Sequence, residues 1–310
     1  MKRILPYAAV AFAACSWGTW GLVIRRVESV GSMPTALESA IMMAVLTVVT
    51  GVASLRDRIP ARATWKARSW VVWLGIGDSL NVLLFFQAYK LTIAVSVLTH
   101  YLTPIFVAVA APFFLRERMT ARTALAVGLS FGGLAAMLAP SSGSVASDAV
   151  WASAALGAGS AVFYASNVIV NKFVVEAFST SEVMFWHGVV ATPFLAAFVP
   201  RAAWAAVDPR AAAFFGLASI VPGALAGLAF VWGLRRMPAT HASTLTLLEP
   251  VVSVVLGALV FGERREAQAL GGGLAILAGA LLVIVPPARR QARMENRVLL
   301  STSRQRSRSP

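Results

Sequence analysis

Charged residues are scarce in this chain, and their scarcity indicates the class of protein. Only 13% of the 310 residues are charged, whereas 58% are hydrophobic, and the mean hydropathy is +0.74. A soluble domain carries about 25% charged residues, and a soluble chain of this length has too small an interior to hide so much apolar surface. The composition therefore predicts an integral membrane protein.

Cysteine is almost absent as well, since Cys15 is the single one in the sequence. One cysteine excludes an intrachain disulfide and a cysteine-based metal site. The first fifteen residues, MKRILPYAAVAFAAC, imitate a secretory signal peptide. The apolar run continues past Cys15 to about residue 24, which is the length of a full span and favours a first helix that is retained.

Lysine and arginine are missing from the deep part of every apolar run. Sugar phosphates and nucleotide sugars usually require such side chains, so these substrates are disfavoured. Seven of the 27 basic residues lie instead in the last 22 positions. A basic segment beside the final membrane helix predicts a disordered cytoplasmic tail, residues 287–310, that contacts anionic lipid headgroups rather than nucleic acid.

Long apolar runs predict ten transmembrane helices in an all-α fold, because backbone in hydrocarbon must form its own hydrogen bonds and no barrel-like alternation is present. The runs are 4–24, 34–55, 70–89, 93–115, 123–139, 151–171, 181–199, 211–234, 239–261 and 267–286. With both termini cytoplasmic (N-in, C-in), the inside segments hold 20 lysines and arginines and the outside segments hold 7. The positive-inside rule favours this orientation.

The two halves of the chain resemble each other. When the sequence is shifted by 146 residues, Pro104 falls on Pro250 and Glu117 on Glu263, with 8 identities in 44 ungapped positions. Each half, 1–140 and 150–286, then contains five helices, and an odd number makes the halves enter the membrane in opposite directions. Secondary transporters use such inverted repeats and bind substrate near the midplane between them. The serine-rich stretch 141–148 is the predicted link.

Each half carries a mid-helix proline followed thirteen residues later by a glutamate, in PIFVAVAAPFFLRERMT and PVVSVVLGALVFGERRE. With ten helices in two halves, this doubled motif resembles the EamA type of the drug/metabolite transporter superfamily over residues 4–286. The aromatic-rich interior is most similar to amino-acid exporters of the YddG type. The resemblance implies a monomeric, multi-pass exporter of small metabolites in a bacterial inner membrane, with no cofactor and no metal.

Polar and aromatic side chains inside the predicted helices are the candidate substrate contacts, because an ionisable group at membrane depth costs about 2.5–3.5 kcal/mol on insertion scales. The candidates are Trp17, Asp78, Asn81, His100, Tyr101, Tyr164, Asn167, Trp186, His187 and Thr246. Asp78 and Asn81 share one helix face. Their repeat partners are Ala224 and Gly227, so the repeat itself does not require this polarity. An interhelical hydrogen bond remains the structural alternative.

Several candidates keep open alternatives. His100 and Tyr101 face Thr246 and Leu247 in the repeat and are therefore particular to the first half. His100 is either a substrate contact or a neutral imidazole with satisfied hydrogen bonds. Trp186 and its neighbour His187 lie near a run end, where an interfacial aromatic is equally compatible.

The prolines and acids suggest conformational roles. Pro104 and Pro250 are predicted hinges, since each weakens its helix. Asp78 and Glu249 are candidates for proton coupling, although Glu249 is also placed to bond a carbonyl freed by Pro250. We expect Glu117 and Glu263 to cap the helix that follows each.

The predicted function is export of small amphipathic metabolites, most of all amino acids including aromatic and hydrophobic ones, by alternating access. The alternative is export of cationic drugs or quaternary amines, which would use the same aromatics and acids. An intramembrane enzyme is disfavoured because the sequence has no paired intramembrane aspartates and no HExxH motif. Both proton-coupled antiport and facilitated diffusion fit the sequence.

Overall fold

The computed structural model describes residues 4–31, 33–56, 63–138, 147–262 and 267–285. Every regular element in these ranges is helical, which confirms the all-α class for the described part of the chain. Glu263, the tail 287–310 and residues 141–146 of the predicted link lie outside the described residues.

The helices of the first half are α1 (Leu5–Trp17), α2 (Trp20–Glu28), α3 (Thr35–Ser54), α4 (Trp65–Leu91), α5 (Ile93–His100), α6 (Thr103–Phe114) and α7 (Ala121–Leu138). Those of the second half are α8 (Ser147–Phe173), α9 (Thr180–Ala196), α10 (Arg201–Ala206), α11 (Pro209–Ala218), a π-helical segment (Ile220–Leu225), α12 (Ala226–Leu234), α13 (Ala239–Leu245), α14 (Leu248–Phe261) and α15 (Ala267–Ile284). Several predicted spans are therefore pairs of shorter helices in line, such as α1 with α2 and α5 with α6.

Nine helical segments of the described residues are long and apolar enough to cross a membrane. The predicted span 181–199 is present as α9, which has 17 residues and is about 26 Å long at 1.5 Å per residue. A helix of 17 residues lies at the lower end of the length that spans hydrocarbon. Nine long spans and this shorter helix occupy the ten predicted positions, and membrane orientation stays a prediction.

The main helix contacts join the two halves. The largest contacts are those of α7 with α15, α4 with α8, α3 with α9 and α1 with α12. In every pair one helix precedes residue 139 and the other follows residue 146. The core is consequently built between the halves, and the side chains of α1, α4, α8 and α12 are brought to the centre of the molecule.

Close packing of α7 on α15 depends on glycine. A Cβ atom on Gly133 would lie 2.5 Å from the carbonyl oxygen of Gly272 and 3.0 Å from the backbone nitrogen of Ile276. Small residues let membrane helices approach this closely. Gly128 and Gly132, which have the small-xxx-small spacing typical of close helix contact, have open space at their Cβ positions instead.

Gly133→Val is expected to destabilise the protein, because the added side chain meets backbone atoms that cannot move aside. Overpacking of this kind costs about 1–3 kcal/mol or more. The thermal midpoint of the purified protein in detergent measures the effect. Gly132→Val, on the open face of the same helix, is the matched control and should stay within about 0.5 kcal/mol of the parent. Equal midpoints for the two variants would contradict the assignment.

Candidate substrate-binding site

A cavity of about 240 Å³ lies between the two halves. Its wall is formed by Trp17, Trp20, Met42, Met43, Leu46, Leu74, Asp78, Asn81, Val82, Phe85, Phe86, His100, Tyr164, Asn167, Val168, Asn171, Met184, His187, Pro222, Gly223, Gly227, Phe230, Val231 and Glu249. No lysine or arginine belongs to this lining, as far as the described residues show. Its volume is below the range of about 300–1,000 Å³ that drug-sized ligands occupy, so it suits a smaller molecule.

Asp78 and Glu249 are the two acidic residues in this lining, and Asp78 is held by partners from three helices. Its Oδ2 lies 3.2 Å from His187 Nε2 of α9, and its Oδ1 accepts from the amides of Asn81 and Asn167, each at 3.4 Å. A charged group out of water requires a partner charge or several hydrogen bonds. The long amide bonds leave Asp78 able to accept a further, closer donor.

Ser160 of α8, in the second half, extends this network from Asn81 to His100. Ser160 donates to Asn81 Oδ1 at 2.7 Å, and His100 Nδ1 lies 2.7 Å from the same hydroxyl. The Asn81 amide nitrogen donates to Asp78, so the Asn81 amide oxygen faces Ser160 and accepts the hydrogen bond from its hydroxyl. His100 Nδ1 must then be the donor to Ser160. In a neutral imidazole this leaves Nε2 as an acceptor on a cavity-lining side chain.

Three polar atoms of cavity-lining residues lack an aligned hydrogen-bond partner. They are Asn167 Oδ1, Asn171 Oδ1 and His187 Nε2, the last of which is near Asp78 in distance but is not aligned with it. Buried polar groups of folded proteins are nearly always bonded. These three atoms are themselves buried, on side chains that line the cavity, and a polar ligand or a water reached by a small side-chain rotation would satisfy them.

Aromatic rings line the remainder of the wall. The ring of Trp17 lies 5.2 Å from that of Phe230. His100 stacks on Tyr164 at 15° with centroids 5.6 Å apart and lies 4.4 Å from Phe85. These centroid distances are those of packed aromatic pairs, and the wall offers flat apolar surfaces to a ligand.

Both proline helices are interrupted at matched positions. α5 ends at His100 and α6 begins at Thr103, while α13 ends at Leu245 and α14 begins at Leu248. Each proline therefore lies in the first turn of a new helix, where its missing N–H costs nothing, and not in the middle of a bent one. The helix break is shared by both halves, and hinge motion about Pro104 and Pro250 stays a prediction.

A π-helical segment gives the second half a further irregular wall. It covers Ile220–Leu225, and Pro222 and Gly223 of this segment line the cavity. Single π turns inside membrane or soluble helices are frequent at functional sites, because they widen the helix and redirect backbone groups.

Most of the predicted site residues lie together. Those on the cavity wall are Trp17, Asp78, Asn81, His100, Tyr164, Asn167, His187 and Glu249. Tyr101 and Thr246 are buried behind the wall, where Tyr101 interacts with the Glu249 side chain. Trp186 is 47% exposed and does not line the cavity. The structure therefore does not bring Trp186 together with the other candidates, and its contact with substrate stays a prediction.

Two polar residues of α8 were missed. Asn171 precedes Lys172 at the end of an apolar run, a position typical of the membrane interface, yet it is 8% exposed and lines the cavity. Ser160 was not considered, although it bonds both Asn81 and His100. Residues 160, 164, 167 and 171 follow the spacing i, i+4, i+7, i+11, which places them on one helix face. This spacing would have identified both.

Glu117 has a role that differs from the prediction. Both of its carboxylate oxygens accept from the backbone nitrogen of Ala239 at 2.9 Å, and Lys172 Nζ lies 3.8 Å away while it donates to the Met237 carbonyl. Glu117 thus caps α13 of the other half and not α7, the helix that follows it. We call Glu117, Lys172, Met237 and Ala239 the Glu117 cluster.

A histidine beside the Glu117 cluster joins the halves as well. His241 Nδ1 lies 2.9 Å from the Tyr7 hydroxyl and its Nε2 lies 3.4 Å from the Thr123 hydroxyl. Tyr7 and Thr123 belong to the first half, and His241 to the second. At the end of the molecule that contains the Glu117 cluster, several polar contacts therefore join the first half to the second.

Comparison with known proteins identifies relatives along most of the chain. The EamA-like transporter family matches residues 4–139 and again 151–285. An "Uncharacterized transporter" of Archaeoglobus fulgidus is 26% identical over 214 residues, which cover 67% of this chain and 74% of that protein. The "Uncharacterized transporter YxxF" of Bacillus subtilis is 25% identical over 234 residues, 71% of this chain and 72% of the relative.

A solved structure shares the fold. A chain titled "Crystal structure of protein" superposes with a TM-score of 0.73 at 20% sequence identity and covers 88% of this chain and 94% of its own length. At this identity the likeness concerns the fold alone. The two stretches matched by the family lie within the two halves predicted from the sequence.

Proposed function

Because the chain belongs to the EamA-like transporter family, we propose that it exports small amphipathic metabolites, amino acids above all, through the cavity between its two halves. In this proposal the halves are inverted repeats in a bacterial inner membrane, both termini are cytoplasmic, and alternating access exposes the cavity to each side in turn. The pairing of helices between the halves and the bias of basic residues support it.

The observation that carries the proposal is the cluster of acceptors around Asp78. Asp78 Oδ1 has only long amide bonds, Oδ2 has His187 as its one close neighbour among the described residues, and the side-chain oxygens of Asn167 and Asn171 have no partner. A primary ammonium group carries one positive charge and three N–H donors. It would neutralise Asp78 and supply the donors that the two amide oxygens lack. We therefore place the amino group of the substrate at this wall.

The rest of an amino acid has suitable partners. The aromatic wall of Trp17, Phe85 and Phe230 favours apolar side chains, which bury surface against it. α6 begins three residues after the cavity-lining His100, and the positive N-terminal end of an interrupted helix binds carboxylates in transporters. The cavity volume of about 240 Å³ is consistent with a single metabolite.

Asp78 is also our candidate for proton coupling. Its carboxylate has His187 as its cationic partner when that imidazole is protonated, and a substrate ammonium would compete for the same position. Binding of the substrate ammonium at Asp78 would then favour release of the proton from His187, and such competition between substrate and proton is what proton-coupled antiport requires. Glu249, which lines the cavity beside Tyr101, is the second candidate.

A methylation series separates the two candidate substrate classes. We expect phenylalanine and leucine to drive counterflow in proteoliposomes, and expect their N,N,N-trimethyl derivatives to compete at least about tenfold less well. A quaternary nitrogen keeps the charge but has no N–H for Asn167 and Asn171, and two lost hydrogen bonds to buried acceptors account for this factor.

The reverse order of competition would favour the export of cationic drugs or quaternary amines, because these need only the carboxylate and the aromatic faces. Equal competition would contradict the assigned role of the two asparagines. Tetraethylammonium, which has neither a carboxylate nor an N–H, serves as the reference competitor.

A further inference from the structure

A second cavity, of about 1080 Å³, opens at the surface beside the Glu117 cluster. It is a cleft between the ends of α3 and α12, closed by residues of the connection between α8 and α9 and by the first residues of α9. Its walls are formed by Val49, Val52, Ala53, Arg56, Val175, Phe178, Ser179, Thr180, Ser181, Leu228, Ala229, Trp232, Arg235 and Arg236. We call it the arginine cleft. None of these residues lines the central cavity.

Three arginines give the cleft a positive charge that the described residues do not neutralise. Arg235 is bound by neutral oxygens only, namely the carbonyls of Val175 and Phe178 and the hydroxyl of Thr180. Burial, with a further contribution from the neighbouring Arg236, holds the pKa of Arg235 below its usual value. The charge of this guanidinium is thus only partly compensated.

Within the part of the chain that the structure describes, the other two arginines keep donors for a ligand. Arg236 donates to the Trp232 carbonyl at 2.7 Å and lies 4.1 Å above the Trp232 ring, which fixes its position but leaves part of its donor fork free. Arg56 is exposed. Glu182, whose charge acts on Arg235, already accepts a hydrogen bond from the backbone nitrogen of Ser179 at 2.7 Å.

The remaining wall is apolar and continues onto the outer surface of the helices. Val52 is 60% exposed and Val48, one turn away on α3, is 66% exposed. Leu228 and Trp232 form the opposite side on α12. A ligand that uses both parts of the cleft must combine a negative headgroup with a hydrocarbon chain. A small inorganic anion would leave the apolar part uncovered.

We propose that the arginine cleft binds one anionic phospholipid, with its phosphate at Arg56 and Arg236 and one acyl chain along Val52, Leu228 and Trp232. Basic pockets between transmembrane helices recognise such headgroups, and Trp232 lies near the end of α12, where tryptophan is typical of the membrane interface. Bound here, the lipid links the ends of α3 and α12, two helices that also contribute to the central cavity.

The test uses the full chain in detergent and native mass spectrometry with phosphatidylglycerol, phosphatidylcholine or inorganic phosphate. We expect phosphatidylglycerol to bind at least about tenfold more tightly than phosphatidylcholine. The double variant R56Q/R236Q should lose this preference. The matched control K66Q/R68Q removes two exposed charges from the start of α4 and should retain it, and the basic tail is present in all samples.

Equal preference in the parent protein and in R56Q/R236Q would overturn the proposal, and so would inorganic phosphate that displaces the lipid at equal concentration. The single variant R56Q changes only an exposed side chain and should show an intermediate loss. If K66Q/R68Q loses the preference for phosphatidylglycerol as fully as R56Q/R236Q does, the preference arises from overall charge, and the cleft is not the binding site. None of these readouts depends on transport, so failure here leaves the proposed function standing.

Discussion

Asp78→Asn is expected to lower substrate transport by about a hundredfold or more. The substitution keeps the shape of the side chain and removes the charge that the proposed ammonium site requires. Loss of one partner of a buried, hydrogen-bonded charge pair costs about 2–5 kcal/mol, and each 1.4 kcal/mol is a factor of ten. Counterflow of labelled phenylalanine into proteoliposomes, at equal amounts of inserted protein, measures the loss.

Two further variants establish whether Asp78 contacts substrate or only joins helices. Glu176→Gln removes an exposed acid between α8 and α9 and should leave transport unchanged. In Asp78→Asn/His187→Gln, both members of the close pair are neutral, so the fold loses no isolated charge. If that double variant transports normally, Asp78 is an interhelical contact and the ammonium site is wrong. If it stays inactive with a normal thermal midpoint, the substrate role is supported.

Glu117→Ala is expected to open the end of the molecule that carries the Glu117 cluster. The variant leaves the backbone nitrogen of Ala239 without the acceptor that both carboxylate oxygens now provide and leaves Lys172 without its counter-charge. Loss of a charged acceptor to a part-buried donor costs about 1.5–3 kcal/mol. If that energy holds the two halves together, the equilibrium between closed and open states shifts by about 10- to 100-fold.

The measurement exploits the single cysteine of the chain. Cys15→Ser gives a background without thiols, and Val231→Cys places one reporter on the wall of the central cavity. We expect a membrane-impermeant maleimide, added from the side of the Glu117 cluster, to label the reporter at least about tenfold faster in Glu117→Ala. Glu176→Gln is again the matched control. Unchanged labelling with a lower thermal midpoint would show that Glu117 is only a helix cap.

Much of the fold follows from the sequence because hydropathy and helix length are direct consequences of the bilayer. The apolar runs predicted the helical segments and the repeat predicted where two of them break. The seventh apolar run was harder to assign as a transmembrane helix, because α9 has 17 residues and this is about the shortest length that spans the hydrocarbon. The π-helical segment around Pro222 was not predicted, because a proline alone does not distinguish a kink, a break and a π turn.

The site was predictable where polarity and helical spacing coincide, as for Asp78 with Asn81 and Tyr164 with Asn167. Ser160 was missed because serine is common in membrane helices. A serine in an apolar run therefore does not indicate a site until its hydrogen-bond partners are known. Trp186 does not line the cavity whereas His187 does, because one residue of helical rotation separates them and hydropathy cannot resolve that angle. The Glu117 contact with α13 joins residues 122 positions apart, which no local capping rule predicts.

The bonds of Asp78 have a consequence for the order in which the chain enters the membrane. Two of its three side-chain partners, Asn167 and His187, belong to the second half, and Asn167 follows it by 89 residues. During synthesis α4 therefore enters the membrane with Asn81 as the one side-chain partner of Asp78 on its own helix, and the other two arrive only with α8 and α9. The two halves resemble each other in sequence, but the first cannot complete the surroundings of Asp78 alone, so the folding unit includes helices of both halves.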